Sequence, residues 1–395
     1  MKPIAIIGSG LAGYTVAREF RKLDKTTPLI IITGDDGGFY SKPMLSNAFA
    51  LGKQPQQLQS KTADQMAAEL NATILTKTLV SGINTVTQSV QTKVGEFDYS
   101  QLVLALGAQA MRLPIAGDAA DQVLSVNNLA DYVVFRDKLA QAGDKARVTI
   151  LGAGLIGCEF SDDLATAGHK VTLIDPNTLP LAALAPAVIS QGLHAALYAK
   201  GVQLKLGTTA THIAKRDHAI QVTLTNGESF DTDVVLSAVG LRADIRLAQA
   251  AQLQTDRGII INEYGQTSAP DIFALGDCAQ YRQADGSHSL MPYVAPIMTA
   301  AKAIALSLTG QLTSMDTKLS AVLVKTPSYP VALIPPAFAV SKSGTWESNH
   351  ADGVTISRYF DESKKLHGFA VAPQEAKSRN ALIAELTEAQ AMQLN

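Results

Sequence analysis

Twice along this chain a short apolar run ends in G-x-G-x-x-G and passes straight into a helical pattern. The first run, residues 3–7, is rich in isoleucine, the signature of a strand buried on both faces. It ends in Gly8-Ser9-Gly10-Leu11-Ala12-Gly13, and residues 11–23 follow with Tyr14, Ala17 and Phe20 on one helical stripe. The second copy begins 144 residues later: residues 148–151 form the strand, Gly152-Ala153-Gly154-Leu155-Ile156-Gly157 the turn, and a helix runs to Ala167. A lone G-x-G-x-x-G is common by chance; strand and helix on either side give it weight, and repetition makes coincidence remote. The first glycine of such a turn makes the tight bend, the second lets a pyrophosphate approach the backbone, and the third lets helix and strand pack closely. The phosphates lie on the free N–H groups at the positive end of the helix. Two such units mean two dinucleotides, or two halves of one redox reaction.

Each unit should end its second strand in a carboxylate that takes hydrogen bonds from the adenosine ribose. Residues 29–33 read as that strand in the first unit and end in Gly34-Asp35-Asp36; Asp35 stands 22 residues after Gly13, and either aspartate fills the role. In the second unit residues 171–174 end in Asp175, 18 residues after Gly157. A ribose 2′-phosphate would need arginine or lysine there, whereas a free 2′-hydroxyl wants a carboxylate. Residues 176–199 contain neither Lys nor Arg, so NADH is expected rather than NADPH.

The remaining chain is read around these units. Residues 72–80 read as a strand, 82–101 as a β-ribbon, 102–106 as a buried strand closed by Gly107-Ala108, and 129–142 as a helix. Residues 233–239 form another buried strand before Gly240-Leu241-Arg242, and residues 272–279 end a strand in Gly276-Asp277. Alone, Asp277 would read as a turn or helix-capping aspartate, and Lys42, in the turn-rich segment 39–46, as a solvated lysine. A helix is expected over 296–308; strands near 321–325, 331–334, 355–360 and 367–371, then a helix from Gln374, form a small α+β domain. The fold class is α/β: two Rossmann-like, three-layer ββα dinucleotide-binding domains plus that α+β domain. The boundaries are 1–112 (first part of the first dinucleotide-binding domain), 113–242 (second dinucleotide-binding domain), 243–318 (second part of the first) and 319–395.

Composition excludes several classes. With 47% hydrophobic and 17% charged residues in 395, the chain has ample material for two or three cored domains. A net charge of −2 argues against nucleic acid as the general partner. Cys158 and Cys278 stand in no C-x-x-C spacing, which suits a reducing cytosol and excludes a sequence-adjacent redox pair; the seven histidines show no metal-ligand spacing. No leader is expected, since the strand follows Lys2 at once. Residues 176–199 and 291–310 are too interrupted for membrane spans, so the expected location is cytoplasmic.

The motifs at Gly8–Gly13, 102–108, Gly152–Gly157 with Glu159, 238–242 and 276–279 resemble, in order, those of the two-dinucleotide flavoprotein oxidoreductases related to glutathione reductase. The likeness covers residues 1 to about 310. It implies FAD at the first fingerprint and the nicotinamide dinucleotide at the second, with Asp277 on the flavin ribityl chain. The helix after Asp277 would present its N-terminus to the flavin N1/O2 edge. The implied FAD contacts are Gly8, Ser9, Gly10, Leu11, Ala12, Gly13, Asp35, Asp36, Lys42, Val80, Ala105, Gly107, Asp277, Val294 and Lys325. The implied NADH contacts are Gly152, Gly154, Leu155, Ile156, Gly157, Glu159, Asp175, Val239 and Gly240.

Within the family the chain is most similar to the branch that reduces rubredoxin, through segments 11–24, 40–46, 151–160, 237–242 and Lys325-Thr326-Pro327. Leu106 replaces a threonine common among relatives, a change that this branch tolerates. Lys42 and Asn47 stand where ferredoxin reductases carry arginine and a second lysine, and no cysteine pair follows the first fingerprint as in disulfide reductases. The resemblance implies a monomer that moves hydride from nicotinamide C4 to flavin N5. Single electrons then pass to two molecules of rubredoxin, an acidic iron protein, in the service of an alkane hydroxylase or an oxygen-scavenging oxidase. It gives catalytic parts to Lys42 and Lys325, as cations near the flavin, and to Glu159, on the nicotinamide amide; otherwise Glu159 is a solvated helix glutamate. Both cysteines are expected to be buried fillers. The alternatives are a ferredoxin reductase, a nitrite reductase component or an NADH oxidase of the same family, or a flavoprotein that senses NADH without turnover.

Overall fold

All four residues of the strand Ile4–Ile7 are buried, as an isoleucine-rich run covered on both faces must be. The computed structural model describes residues 1–283, 286–316, 319–337, 340–341 and 343–391. They fall into two compact units, Met1–Lys42 with Gln56–Gln109 and Leu241–Lys318, and Pro43–Pro55 with Ala110–Gly240 and Leu319–Asn395. The boundary expected at 318 lies outside the described residues, as do residues 392–395.

The first unit is built on a five-stranded sheet in the order Ile272–Ala274, Gln101–Leu104, Ile4–Ile7, Leu29–Ile32, Thr73–Leu75. Every pairing is parallel, with Ile4 opposite both Leu29 and Gln101, so the carboxyl ends of the strands share one edge. The helix Leu11–Leu23 buries Tyr14, Val16, Ala17 and Phe20 in the common core and lies against the helix Val294–Leu308, where Thr15 Oγ1 comes within 4.0 Å of Met298 Sδ. An antiparallel ribbon of Val80–Asn84, Ser89–Thr92 and Gly95–Asp98 occupies the expected place.

Two expectations for this unit need correction. The strand read over 72–80 is two strands. After Leu75 the chain turns back across the end of its neighbour, with Lys77 at φ +50°. The Lys77 N–H donates to the Asp35 carbonyl at 2.7 Å and the Thr78 N–H to that of Thr33 at 2.8 Å. The helix expected from Pro296 starts at Val294. Proline is tolerated in a first turn, where its missing N–H would have no intrahelical partner.

The second unit carries a four-stranded parallel sheet in the order Gln203–Leu206, Lys170–Asp175, Arg147–Leu151, Val234–Ser237. An antiparallel ribbon, Ala210–Arg216, Ala219–Leu224 and Ser229–Thr232, follows within the same stretch of chain. Within the apolar stretch 176–199, too interrupted for a membrane span, the helix Ala187–Ala199 buries Ile189, Leu193 and Leu197, one residue per turn.

C-terminal residues form a five-stranded antiparallel sheet, Val322–Val324, Val331–Ile334, Leu366–Ala372, Val354–Phe360, Thr345–Ala351. The helix Ala376–Ala391 sets Leu382 and Leu386 into a core with Phe369 and Val371. It begins two residues past Gln374, whose N–H is engaged by the Pro330 carbonyl at 2.9 Å. Strand Thr345–Ala351 was not foreseen: it is an outer strand with mostly exposed side chains and lacks the apolar alternation of a half-buried strand. Among the described residues no helix is long and apolar enough to cross a membrane.

Candidate functional site

In the first unit Gly8 sits at φ +111°, and a Cβ there would lie 2.2 Å from the Ala105 carbonyl oxygen of the adjacent strand. A Cβ on Gly13 would lie 2.0 Å from the Gly8 oxygen. These two glycines are demanded by the protein itself: one by backbone conformation and contact, the other by helix-on-strand approach. Gly10 differs. Its φ of −71° and ψ of −174° suit any residue, and a Cβ would meet nothing within 4 Å. Its bareness therefore serves neither the backbone nor the packing. As N-cap it also offers no side-chain acceptor to the first-turn N–H groups, which suits an anionic group seated there. That open place fits the pyrophosphate of FAD.

Around this turn the structure gathers several of the expected residues. Asp35 Oδ1 accepts from Ser9 Oγ at 2.9 Å, Thr33 Oγ1 at 2.7 Å and the Gly37 N–H at 2.9 Å, which ties it to the fingerprint. Asp36 is turned instead to the Gly38 N–H at 3.0 Å. The sequence left the two aspartates equivalent; the Ser9 bond separates them. Tyr14 donates its hydroxyl to the Gly37 carbonyl, and burial, reinforced by the charges of Asp35 and Asp36, pushes that phenol well above its usual range.

Gly276, at φ +79°, brings the Gly-Asp turn against the fingerprint, since a Cβ there would stand 3.0 Å from that of Ala12. The next residue, Asp277, lies 3.8 Å from the Lys42 ammonium. Lys42 is thus no simple surface lysine: it stands beside the carboxylate expected at the ribityl chain. Ala105 donates its N–H to the Ile7 carbonyl at 2.9 Å, and the Gly107 carbonyl receives the Asp244 N–H at 3.0 Å, so both are fixed at the same sheet edge. Val80 opens the ribbon, and Val294 is the half-exposed first residue of its helix.

The second unit repeats the turn almost atom for atom. Gly152 has φ +100° and a Cβ there would meet the Ala238 oxygen at 2.8 Å; one on Gly157 would meet the Gly152 oxygen at 1.8 Å. Gly154 has φ −73° and ψ −170°, and nothing lies within 4 Å of its would-be Cβ. Asp175 reaches the turn directly: its Oδ2 accepts the Ala153 N–H at 2.6 Å, and its Oδ1 takes the backbone and side-chain N–H of Asn177, both at 2.8 Å. Leu155 and Ile156 open the helix, Ile156 being exposed, and Val239 and Gly240 follow the neighbouring strand.

Glu159 is not the solvated glutamate that was the alternative; it is wholly buried. Its Oε1 accepts the Lys325 N–H at 2.8 Å, and its Oε2 accepts the Lys325 ammonium at 2.7 Å and the Ser46 hydroxyl. Lys325, read as a flavin-side cation, is held here by Glu159, by Ser46 Oγ at 2.9 Å and by the Pro43 carbonyl. It follows the strand Val322–Val324, so the strand expected over 321–325 is shorter at both ends.

Two further residues on this helix escaped sequence reading. Asp162 accepts from Ser328 N–H at 3.0 Å and Oγ at 2.7 Å and pairs with Lys200 at 3.0 Å. Asp163 accepts the N–H groups of Phe49 at 3.1 Å and Ala50 at 2.7 Å, and burial pushes its carboxyl up. The available signal was three acids at i, i+3 and i+4 on one face of an otherwise apolar helix. Cys158 and Cys278 are fully buried; burial pushes the Cys158 thiol up, and that of Cys278 to about 12.

This geometry has close counterparts among known proteins. Residues 2–304 match the family described as pyridine nucleotide-disulphide oxidoreductase, and residues 316–386 match the rubredoxin binding C-terminal domain. The chain is 41% identical to a rubredoxin-NAD(+) reductase of Acinetobacter baylyi, over 99% of this chain and all of that one. It is 42% identical to one from Alcanivorax borkumensis, over 98% of this chain and 99% of that one. In fold it resembles the crystal structure of the covalent putidaredoxin reductase-putidaredoxin complex, with a TM-score of 0.88 at 24% identity, covering 98% of this chain and 93% of that one. By its duplicated turns and by the match across residues 2–304, the chain belongs to the pyridine nucleotide-disulphide oxidoreductase family.

Proposed function

We propose that the protein is an FAD-dependent NADH:rubredoxin oxidoreductase. The observation that carries this reading is the pair of glycine turns whose middle residue is left open by the protein, joined in one chain to a C-terminal segment that matches the rubredoxin binding domain. Residues 1–112 and 243–318 form its FAD-binding domain, 113–242 its NADH-binding domain, and 319–395 its C-terminal domain.

FAD, when bound, supplies acceptance of two electrons as hydride and their release one at a time. The chain's own residues bind and orient. Gly8, Gly10 and Gly13, with the N–H groups of Leu11 and Ala12, hold the pyrophosphate, and Asp35 rather than Asp36 takes the adenosine ribose. Asp277 binds the ribityl chain and holds Lys42 beside it, so that an ammonium offsets negative charge on the flavin. The first turn from Val294 adds its dipole to the same end. In the second unit the Gly152–Gly157 turn holds the NADH pyrophosphate, Asp175 takes a free 2′-hydroxyl, and Glu159 faces the nicotinamide amide. No side chain acts as nucleophile; alignment and exclusion of oxygen are the protein's contribution. The protein works in the cytoplasm as a monomer and serves an alkane hydroxylase.

The test is an anaerobic half-reaction. NADH should bleach the flavin promptly, and rubredoxin should reoxidise it faster than ferredoxin, nitrite reductase partners or oxygen do. No bleaching, or a preference for another acceptor, would overturn the assignment. Because rubredoxin is acidic, its rate should fall as ionic strength rises while flavin reduction by NADH stays level; a salt-insensitive rubredoxin rate would argue against charge-guided docking.

A further inference from the structure

Lys325 meets Glu159 from 166 residues downstream, and it is held in more ways than one bond requires. Its ammonium donates to Glu159 Oε2 at 2.7 Å, to Ser46 Oγ at 2.9 Å and to the Pro43 carbonyl, which uses all three N–H bonds. Three residues on, Ser328 is fixed to Asp162 through both its N–H and its hydroxyl. Tyr329 then sits over Gly192, where a Cβ would lie 2.2 Å from its Oη. Residues 325–329 are therefore a strap buckled to the helices Leu155–Thr166 and Ala187–Ala199, and the strap delivers one positive charge to a carboxylate that is wholly buried.

We propose that Lys325 sets the balance between oxidised and reduced dinucleotide at the second site by cancelling the charge of Glu159. The proposal rests on the reading that the second fingerprint holds NADH with its nicotinamide toward Glu159. The oxidised nicotinamide ring carries a positive charge and the reduced ring carries none. A buried carboxylate left bare would favour the oxidised ring, because charges away from solvent are poorly screened. Product would then leave slowly. With an ammonium at 2.7 Å the pair is neutral overall, and the site holds the two rings more nearly alike. Lys325 is on this view a positioning residue: it acts through Glu159 and is placed by Asp162 and Ser328.

The test measures binding to the full-length, FAD-loaded enzyme by titration calorimetry with three probes. They are NAD+, tetrahydro-NAD (a neutral ring with no hydride to give) and ADP-ribose, which has no ring. Lys325→Met should raise the affinity for NAD+ relative to tetrahydro-NAD by about tenfold, and Lys325→Arg should keep the ratio within about twofold of the native enzyme. Glu159→Gln leaves the ammonium, whose side chain is 31% exposed and can hydrate, and should move the ratio the other way. This second variant stands even if Lys325→Met, which strands a buried charge, does not fold. ADP-ribose affinity should hold across the set, since it lacks the ring that feels the charge. A ratio unmoved in Lys325→Met or in Glu159→Gln, with ADP-ribose still bound, overturns the charge balance. A failure of the underlying site reading looks different: Gly154→Ala would leave ADP-ribose affinity intact, removing the dinucleotide from this turn and the proposal with it.

Discussion

The two glycine turns are nearly superimposable in what they demand of the chain, and they part company one helical turn later. In both, the outer glycines are excluded from substitution by protein atoms, at 2.2 and 2.0 Å in the first turn and 2.8 and 1.8 Å in the second, while the middle glycine faces open space. Downstream, the helix Leu11–Leu23 has no buried acid, its one carboxylate, Glu19, being paired with Lys22 on the same helix, and it packs on a second helix through apolar residues. Its counterpart Leu155–Thr166 carries three buried acids that grip residues 46, 49–50 and 325–328. The same turn is thus used once as a cradle alone and once as a cradle on a hub. The lesson is that the shared motif sets the same open glycine at the head of each helix, and the next turn of helix decides what that place is connected to.

The largest effect should come from the outer glycines. Gly13→Ala and Gly157→Ala each force a methyl into a carbonyl oxygen, and overpacking of this kind costs about 1–3 kcal/mol or more. Thermal unfolding should show a clear loss for both; a tolerated Gly157→Ala would break the equivalence of the two turns.

Gly10→Ala and Gly154→Ala should behave oppositely. Their backbone angles suit alanine, so the unliganded chain should be level or more stable by about 0.5 kcal/mol, since the unfolded chain loses freedom. Dinucleotide affinity should nonetheless drop, for FAD in the first variant and for NADH in the second. Loss of both ligands in one variant would show that the turns are not independent.

A smaller difference is expected at the carboxylates. Asp175→Arg should relax the preference for NADH over NADPH, measured as the ratio of kcat/KM values, and Asp35→Asn should weaken FAD retention without touching that ratio. An unaltered NADH preference would remove Asp175 from the ribose.

The smallest is at the two cysteines, Cys158 directly after the second fingerprint and Cys278 in the Gly-Asp turn that packs against the first. Burial raises both thiols, so at pH 8 the thiolate fraction is minute, and a thiol reagent should titrate none in the folded protein and both after denaturation. Reaction of either in the native state would mark that turn as the looser one.

Much of this was legible in the chain because its causes are local. A positive φ at Gly8 or Gly152, an apolar run between layers and a carboxylate at a strand end each depend on residues within one βαβ unit. Less legible were Thr345–Ala351, an outer strand with an exposed face, and the break after Leu75, which depends on the Thr33 and Asp35 carbonyls, just past the end of another strand, accepting the Thr78 and Lys77 N–H groups.

What the sequence by itself determined is the existence of two glycine turns between strand and helix, their order and the carboxylate at the end of each neighbouring strand, because steric demands at glycine and apolar periodicity act over a few residues. Tertiary structure alone decided which of Asp35 and Asp36 reaches the turn, and that Glu159 is a buried anion paired with Lys325. The physical reason is the same in both cases. A side chain's partner is set by which distant segments the packed core brings within hydrogen-bond reach, and a separation of 166 residues leaves no local trace of it.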